Sequence, residues 1–207
     1  MSADKWANPE KMWDERFSQP EPVYGEMPNL FLEEQAKGWK PGARVLVPGD
    51  GYGRNGIWLA RQGFRVHTVD LSPVGVERSR KTAFSAGLNM AIECADLAKW
   101  QWPVAEFEVV ASIFVHLPPS VRPQVHGSML RVLKPGGVLI LEAFSPEQLR
   151  YTSGGPKQLD LLYTAEILRQ DFIGAEVVEL VEAVVELREG ALHSGLGAVI
   201  RGAFRSR

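Results

Sequence analysis

The chain has 207 residues, 45% hydrophobic and 23% charged, with a formal net charge of -2. One domain with a self-sufficient core is expected at this length, and the near-neutral balance gives no bulk attraction to nucleic acid. The single cysteine, Cys94, excludes an intramolecular disulfide and a thiolate-rich zinc centre. Met1–Trp6 opens no apolar leader, and no run approaches the ~18 apolar residues of a membrane span, so the expectation is a cytoplasmic protein without a membrane partner.

The first forty residues carry four prolines, three tryptophans and an excess of acids. Trp6, Trp13, Phe17, Tyr24, Leu30, Phe31 and Trp39 offer too much apolar surface for a solvated tail. Helices are predicted at Asn8–Phe17 and Asn29–Gly38, the second capped by Asn29, together forming a cover over residues 1–40. From Ala43 the pattern alternates. Strands are expected at Ala43–Pro48, Phe64–Val69, Met90–Cys94, Phe107–Val115 and Val138–Phe144. Between them lie a helix around Ile57–Ala60, one from Ser72-Pro73 to about Ala86, and one over Pro119–Leu133. Strands alternating with helices imply a parallel sheet with crossover helices. Residues 43–144 form this core, and 145–163 contain a glycine-bearing loop suited to a lid. Residues 164–207 close the sheet, with a short helix at Thr164–Asp171. In Ala175–Leu187 the glutamates recur at helical spacing while valine favours a strand; a strand from about Val178, in hairpin with Leu196–Phe204, is chosen.

The strongest local signal is Val45-Leu46-Val47-Pro48-Gly49-Asp50-Gly51-Tyr52-Gly53-Arg54-Asn55-Gly56, where a strand runs into glycines and then a helix. Gly49 and Gly51 permit a tight turn and close approach of backbone to a ligand, and Gly53 lets the helix begin beside the strand. Asp70, about twenty residues on at the end of the second strand, is placed to accept hydrogen bonds from ribose hydroxyls. Asp96 falls at the end of the third strand. Three such strand ends make a nucleoside crevice along the carboxyl edge of the sheet. The glycines alternate at every second position, whereas the dinucleotide pattern leaves two residues before its third glycine.

Over roughly Ala43–Arg205 these residues resemble the class I S-adenosylmethionine-dependent methyltransferases. Gly49-Asp50-Gly51-Tyr52-Gly53 looks like the family's first motif, Asp70 like its ribose acid, and Asp96-Leu97 like its adenine contact. Phe107–Ser112 is similar to the fourth-strand motif, and Leu133-Lys134-Pro135-Gly136-Gly137 to the turn before the fifth strand. Asp50–Asn55 and the aromatic, acidic amino-terminal segment are similar to the small tellurite-resistance and thiopurine-type members. The resemblance implies a Rossmann-like, doubly wound, mostly parallel seven-stranded α/β sheet with a C-terminal antiparallel hairpin and an N-terminal helical cover. It implies S-adenosyl-L-methionine as cofactor, held by Trp13, Arg16, Gly49, Asp50, Gly51, Gly53, Asn55, Asp70, Leu71, Asp96, Leu97 and Ser112. Pro48 stands where many members carry an acid, and Asp50 is the candidate to replace its contact with the methionine ammonium.

The expected activity is methyl transfer to a small-molecule acceptor, with Tyr24, Phe114 and Tyr151 as pocket walls. A soft sulfur or chalcogen nucleophile needs little help, whereas an oxygen or amine calls for a general base. His116, after the fourth strand, and His193, in the hairpin turn, are the candidates. His67 and His126 are expected to be structural or solvent-facing, and Cys94 to pack near the adenine. A nonenzymatic cofactor-binding protein, a macromolecule methyltransferase and a nicotinamide-binding module remain open alternatives at this stage.

Overall fold

The computed structural model describes residues 8–207; Trp6 and the rest of the Met1–Trp6 stretch lie outside the described residues. Seven strands form one sheet: β1 (Arg44–Pro48), β2 (Arg65–Asp70), β3 (Ala91–Cys94), β4 (Phe107–Ile113), β5 (Leu133–Phe144), β6 (Glu176–Arg188) and β7 (Ser194–Arg205). Their order is β3-β2-β1-β4-β5-β7-β6, parallel through β5, with β7 antiparallel to both β5 and β6. Strand order reverses between β1 and β4, so a crevice opens there at the carboxyl ends of the strands.

The helices are α1 (Pro9–Phe17), α2 (Leu30–Ala36), α3 (Arg54–Arg61), α4 (Pro73–Ser85), α5 (Arg122–Arg131) and α6 (Ala165–Asp171). β1 and β4 are apolar on both faces because both faces are covered. On one side Leu46, Val110, Met129, Val132, Tyr163, Phe172 and Phe204 make the core with α5 and α6. On the other, Val45, Val47, Val109 and Ile140 pack against Phe31 and Leu32 of α2 and Leu59 of α3. Side-chain caps start α2 and α4 as their sequences predict: Asn29 accepts from the Leu32 N–H at 2.9 Å and Ser72 from the Gly75 N–H at 3.0 Å.

Several boundaries differ from expectation. α5 is shorter at both ends than Pro119–Leu133. β5 begins at Leu133, ahead of the expected turn: Leu133 pairs with Phe107, the register shifts, and Val138 pairs with Val109. Lys134–Gly137 is therefore an irregular bend within the strand, with Gly136 at φ +77°. Residues 176–188 are strand throughout, since β-branched packing against β7 outweighs the helical recurrence of glutamate. Cys94 is exposed, not core packing. His126 is fully buried, its Nδ1 2.8 Å from Asp171 Oδ2. Among the described residues no helix is long and apolar enough to cross a membrane.

Candidate functional site

Gly49, Gly51 and Gly53 all take positive φ, at +67°, +59° and +90°, which turns the chain sharply from β1 into α3. Asp70, at the end of β2, ties this loop down: its Oδ2 accepts the Gly51 N–H at 2.7 Å and its Oδ1 the Ser72 N–H at 2.8 Å. Burial pushes Asp70 up to about 6 despite those bonds. Asp50 does not turn toward the crevice as expected. It tucks between α3 and β2, where Oδ2 accepts the Gly56 N–H at 3.0 Å and Oδ1 is buried without a hydrogen-bond partner. Burial, with Asp70 adding to it, pushes Asp50 up to about 8 against the pull of the Gly56 N–H.

The cover lies directly on this loop. A Cβ at Gly51 would fall 2.7 Å from the Phe17 ring, and one at Gly75 2.8 Å from it. Phe17 stacks on Trp13 at 5.5 Å and meets Tyr52 edge-on at 5.5 Å. The Tyr52 hydroxyl accepts the Tyr24 N–H at 3.0 Å and donates to the Gly25 carbonyl at 2.8 Å. Asp14 accepts from the Ser72 hydroxyl and, at 3.3 Å, from the Val74 N–H, pinning α1 to the start of α4. Arg16 donates to the Tyr24 hydroxyl at 2.8 Å and lies 4.8 Å over the Trp13 ring. Trp13, Arg16 and Tyr24 thus form one unit above the glycine loop.

Behind the cover is a buried ionic lattice that sequence reasoning missed. Asn29 Nδ2 donates to Glu142 at 2.6 Å and to Glu189 at 2.8 Å, and the Asn29 N–H donates to Asn55 Oδ1 at 2.9 Å. Glu189 is bound by Arg54 at 2.6 Å, and Glu142 by Arg201. Burial pushes Glu142 up despite Arg201. Glu189 is also pushed up by burial, but His193 and Arg54 outweigh that and hold it below the usual carboxylate range. One signal was legible: Glu142 is a lone acid in the apolar run Val138–Phe144.

His193 lies at the edge of this lattice, buried, with Nδ1 3.5 Å from Glu189 Oε2. Its ring is 4.6 Å from Tyr24, 4.6 Å edge-on to Phe114 and 5.3 Å from Phe144. Phe114, just past β4, sits at φ +54°, unusual for a bulky residue. The structure therefore brings Tyr24, Phe114 and His193 together.

His116 is corrected from catalytic candidate to structural residue. Its Nδ1 is 2.6 Å from the Leu161 carbonyl and its Nε2 accepts the Phe144 N–H at 3.3 Å, leaving no nitrogen for chemistry. Burial pushes it down to about 4. Asn55 is committed to the cover, and Leu97 is buried in the core. Asp96 accepts the Ala98 N–H at 2.9 Å, and the Ser112 hydroxyl is buried without a partner. Leu71 is half-buried, its carbonyl 3.7 Å from the Cys94 thiol. Tyr151 closes a turn through Gln148 and has no ring contact with the Tyr24–Phe114–His193 group among the described residues. The expected lid is anchored to β7: Gln148 Oε1 accepts the Ala198 N–H at 2.7 Å, and Ser153 donates to the Leu196 carbonyl at 2.7 Å.

Residues 45–137 match the family of methyltransferase domains, the segment from β1 to the bend in β5 that holds the glycine loop, Asp70 and Asp96. That match spans a little under half of the chain, and the chain covers about half or less of the length of the curated relatives it resembles. It is 35% identical over 121 residues to a protein named probable thiol methyltransferase 2 of Arabidopsis thaliana, a match spanning 56% of this chain and 51% of that protein. The fold is shared with the N-methyltransferase NodS of Bradyrhizobium japonicum WM9, solved with S-adenosyl-L-homocysteine. That likeness has a TM-score of 0.76 at 14% identity and covers 96% of this chain and 98% of the other. TehB from Haemophilus influenzae superposes with a TM-score of 0.70 at 18% identity, over 96% of this chain and 67% of its own. S-Adenosyl-L-methionine is the family's cofactor. The residues present fit it: a positive-φ glycine turn that carries the chain from β1 into α3, and a strand-end carboxyl at Asp70 beside it.

Proposed function

We propose that this chain transfers a methyl group from S-adenosyl-L-methionine to a small-molecule acceptor bound beneath the aromatic cover. The observation that carries the reading is the contact of Phe17 with Gly51: the cover reaches the cofactor loop itself, so a ligand there is shielded from water. When bound, the cofactor supplies an electrophilic methyl group on a sulfonium. The backbone of Gly49–Gly53 takes its amino-acid end, Asp70 the ribose, and Asp96 with Leu97 the adenine, while Trp13 and Arg16 close over it. Tyr24 and Phe114 wall the acceptor, with residues 145–163 and Tyr151 flanking the entrance. The chain's part is to exclude water and to align the nucleophile. The thiol methyltransferase relative supports a soft sulfur or chalcogen nucleophile as the acceptor class.

Calorimetric titration with S-adenosylmethionine, S-adenosylhomocysteine and NAD in parallel tests the cofactor assignment; binding of NAD but neither sulfur nucleoside refutes it. Incubation of methyl-labelled donor with thiols, chalcogen oxyanions, amines and phenols then tests transfer. Saturable cofactor binding without transfer to any panel member would replace the enzyme with a binding protein.

A further inference from the structure

His193 differs from the other two deeply placed histidines in what its second nitrogen does. His116 has both ring nitrogens engaged by backbone. His126 has Nδ1 on Asp171 and Nε2 sealed in the core, its ring stacked on Phe172 with the centroids 4.8 Å apart. At His193 the Nδ1 is buried 3.5 Å from Glu189 Oε2, a charge contact longer than a formed hydrogen bond, whereas Nε2 makes no hydrogen bond and is not sealed in the core. A carboxylate beside Nδ1 keeps the proton on that nitrogen and leaves Nε2 as a lone-pair acceptor. Glu189 cannot swing away, since Arg54 and Asn29 hold its two oxygens. His193 is likewise confined: a Cβ at Gly154 would fall 2.6 Å from its Cδ2, and Tyr24 and Phe114 bracket the ring.

Resting on the methyl-transfer reading above, we infer that His193 Nε2 accepts the proton of the methyl acceptor, that Glu189 is its positioning residue, and that the acceptor is a protic nucleophile such as a thiol or phenol. In the step proposed, the acceptor's S–H or O–H bond breaks. The proton moves to Nε2, giving an imidazolium beside Glu189, and the electron pair stays on the sulfur or oxygen, which becomes the nucleophile. The imidazolium afterwards returns its proton to solvent. An oxyanion that arrives already ionised would have no use for this pair. The charged and titratable groups facing His193 are Glu189 on its own turn, Arg54 of α3, Arg16 and Tyr24 of the cover, and His116 beyond β4. Burial lowers His193 below its ordinary value against the opposing pull of Glu189, so the ring is neutral and ready to take a proton at pH 7.

Two measurements decide it. Nitrogen NMR of the full chain should show His193 neutral at pH 7 with the proton on Nδ1, and Glu189→Gln should disturb that tautomer. A ring protonated on Nε2, or charged at pH 7, overturns the proposal whether or not an acceptor has been found. With 2-mercaptoethanol, whose thiol is protonated at pH 7, His193→Gln should lower turnover by about 100-fold or more. The deficit should shrink as pH rises toward the thiol's own ionisation. Turnover within about threefold of wild type across the pH range would remove His193 from the chemistry while leaving the methyltransferase assignment intact. Failure of wild-type protein to bind S-adenosylmethionine would sink that assignment instead, separately from the NMR result.

Discussion

Asn29 performs two jobs with one side chain, and replacing it separates them. Its Oδ1 caps α2 through the Leu32 N–H, while its Nδ2 sits between the carboxylates of Glu142 and Glu189. In Asn29→Ala the lost cap costs about 1 kcal/mol. Each lost hydrogen bond to a buried charge costs about 1.5–3 kcal/mol, and the lower end applies because Arg201 and Arg54 stay on the same carboxylates. The expected loss is about 4 kcal/mol, a large share of the ~5–15 kcal/mol that holds a typical protein folded. With a urea m-value of about 3 kcal/mol/M, the unfolding midpoint should fall by about 1.3 M. Asn29→Asp sharpens the test. Aspartate caps α2 equally well but sets a third carboxylate against two others, so it should be no more stable than the alanine variant at pH 8. An aspartate variant as stable as wild type, or an alanine variant losing only about 1 kcal/mol, would show that the lattice contributes nothing and only the cap matters.

Gly51→Ala forces either the Phe17 ring or the loop to move, because the new Cβ meets that ring at 2.7 Å in a positive-φ residue. S-Adenosylmethionine affinity should fall by at least tenfold in calorimetry, with near-ultraviolet circular dichroism reporting the displaced aromatics. Asp70→Ala should weaken the same binding by about 1–3 kcal/mol, since it removes hydrogen bonds to a charged group; unchanged affinity in a folded variant refutes the ribose placement. Asp50→Asn should stabilise the protein increasingly as pH rises. The folded carboxyl stays protonated up to about 8, the unfolded one ionises near 4, and wild-type stability is therefore lost across that window, on the order of 5 kcal/mol by pH 8. Equal urea midpoints for the two proteins at pH 5 and pH 8 would refute this. His116 acts on the acid side. Its folded value of about 4 lies below the ordinary ~6.5, so the unfolded chain takes the proton first and stability drops as pH falls from ~6.5 to about 4. His116→Gln should flatten part of that slope in midpoints measured at pH 7, 6 and 5.

The sheet and its glycine turn were readable because their signals are local. A strand running into alternating glycines, an acid at the next strand end and Ser72-Pro73 opening a helix each act over a few residues. In the ambiguous Ala175–Leu187 the valines rightly favour a strand, although it begins at Glu176 and not at about Val178. The sequence of Lys134–Gly137 predicts a turn because proline and glycine usually end pairing. Here Leu133 is already paired with Phe107 on the far side of the irregularity. The His116 and Asp50 roles were not readable, because each depends on which backbone groups lie within 3.3 Å of the side chain. The lattice was hidden for a related reason. Beyond the cap at Asn29 and the lone acid Glu142 in its apolar run, nothing about Arg54, Glu189 or Arg201 stands out one at a time, and only the folded sheet brings the five together.

The longest of those contacts has a temporal meaning. Asn29 and Glu189 are 160 positions apart, and Arg54 and Glu189 are 135 apart. As the chain is made from its amino terminus, β1, β2 and the glycine turn exist long before Glu189 and His193 have been synthesised. At Gly190, at φ +73°, a side chain would run into the backbone of Tyr24 and Gly25, so the last hairpin docks against the cover with almost no clearance. The group of Tyr24, Phe114 and His193 is thus the final part of the molecule to be assembled. Long-range closure of this kind is slow relative to local pairing. Until it happens, Arg54 and Asn29 have no carboxylate at 189 to meet, and a chain halted before the last hairpin holds a glycine turn whose cover has no hairpin to dock against.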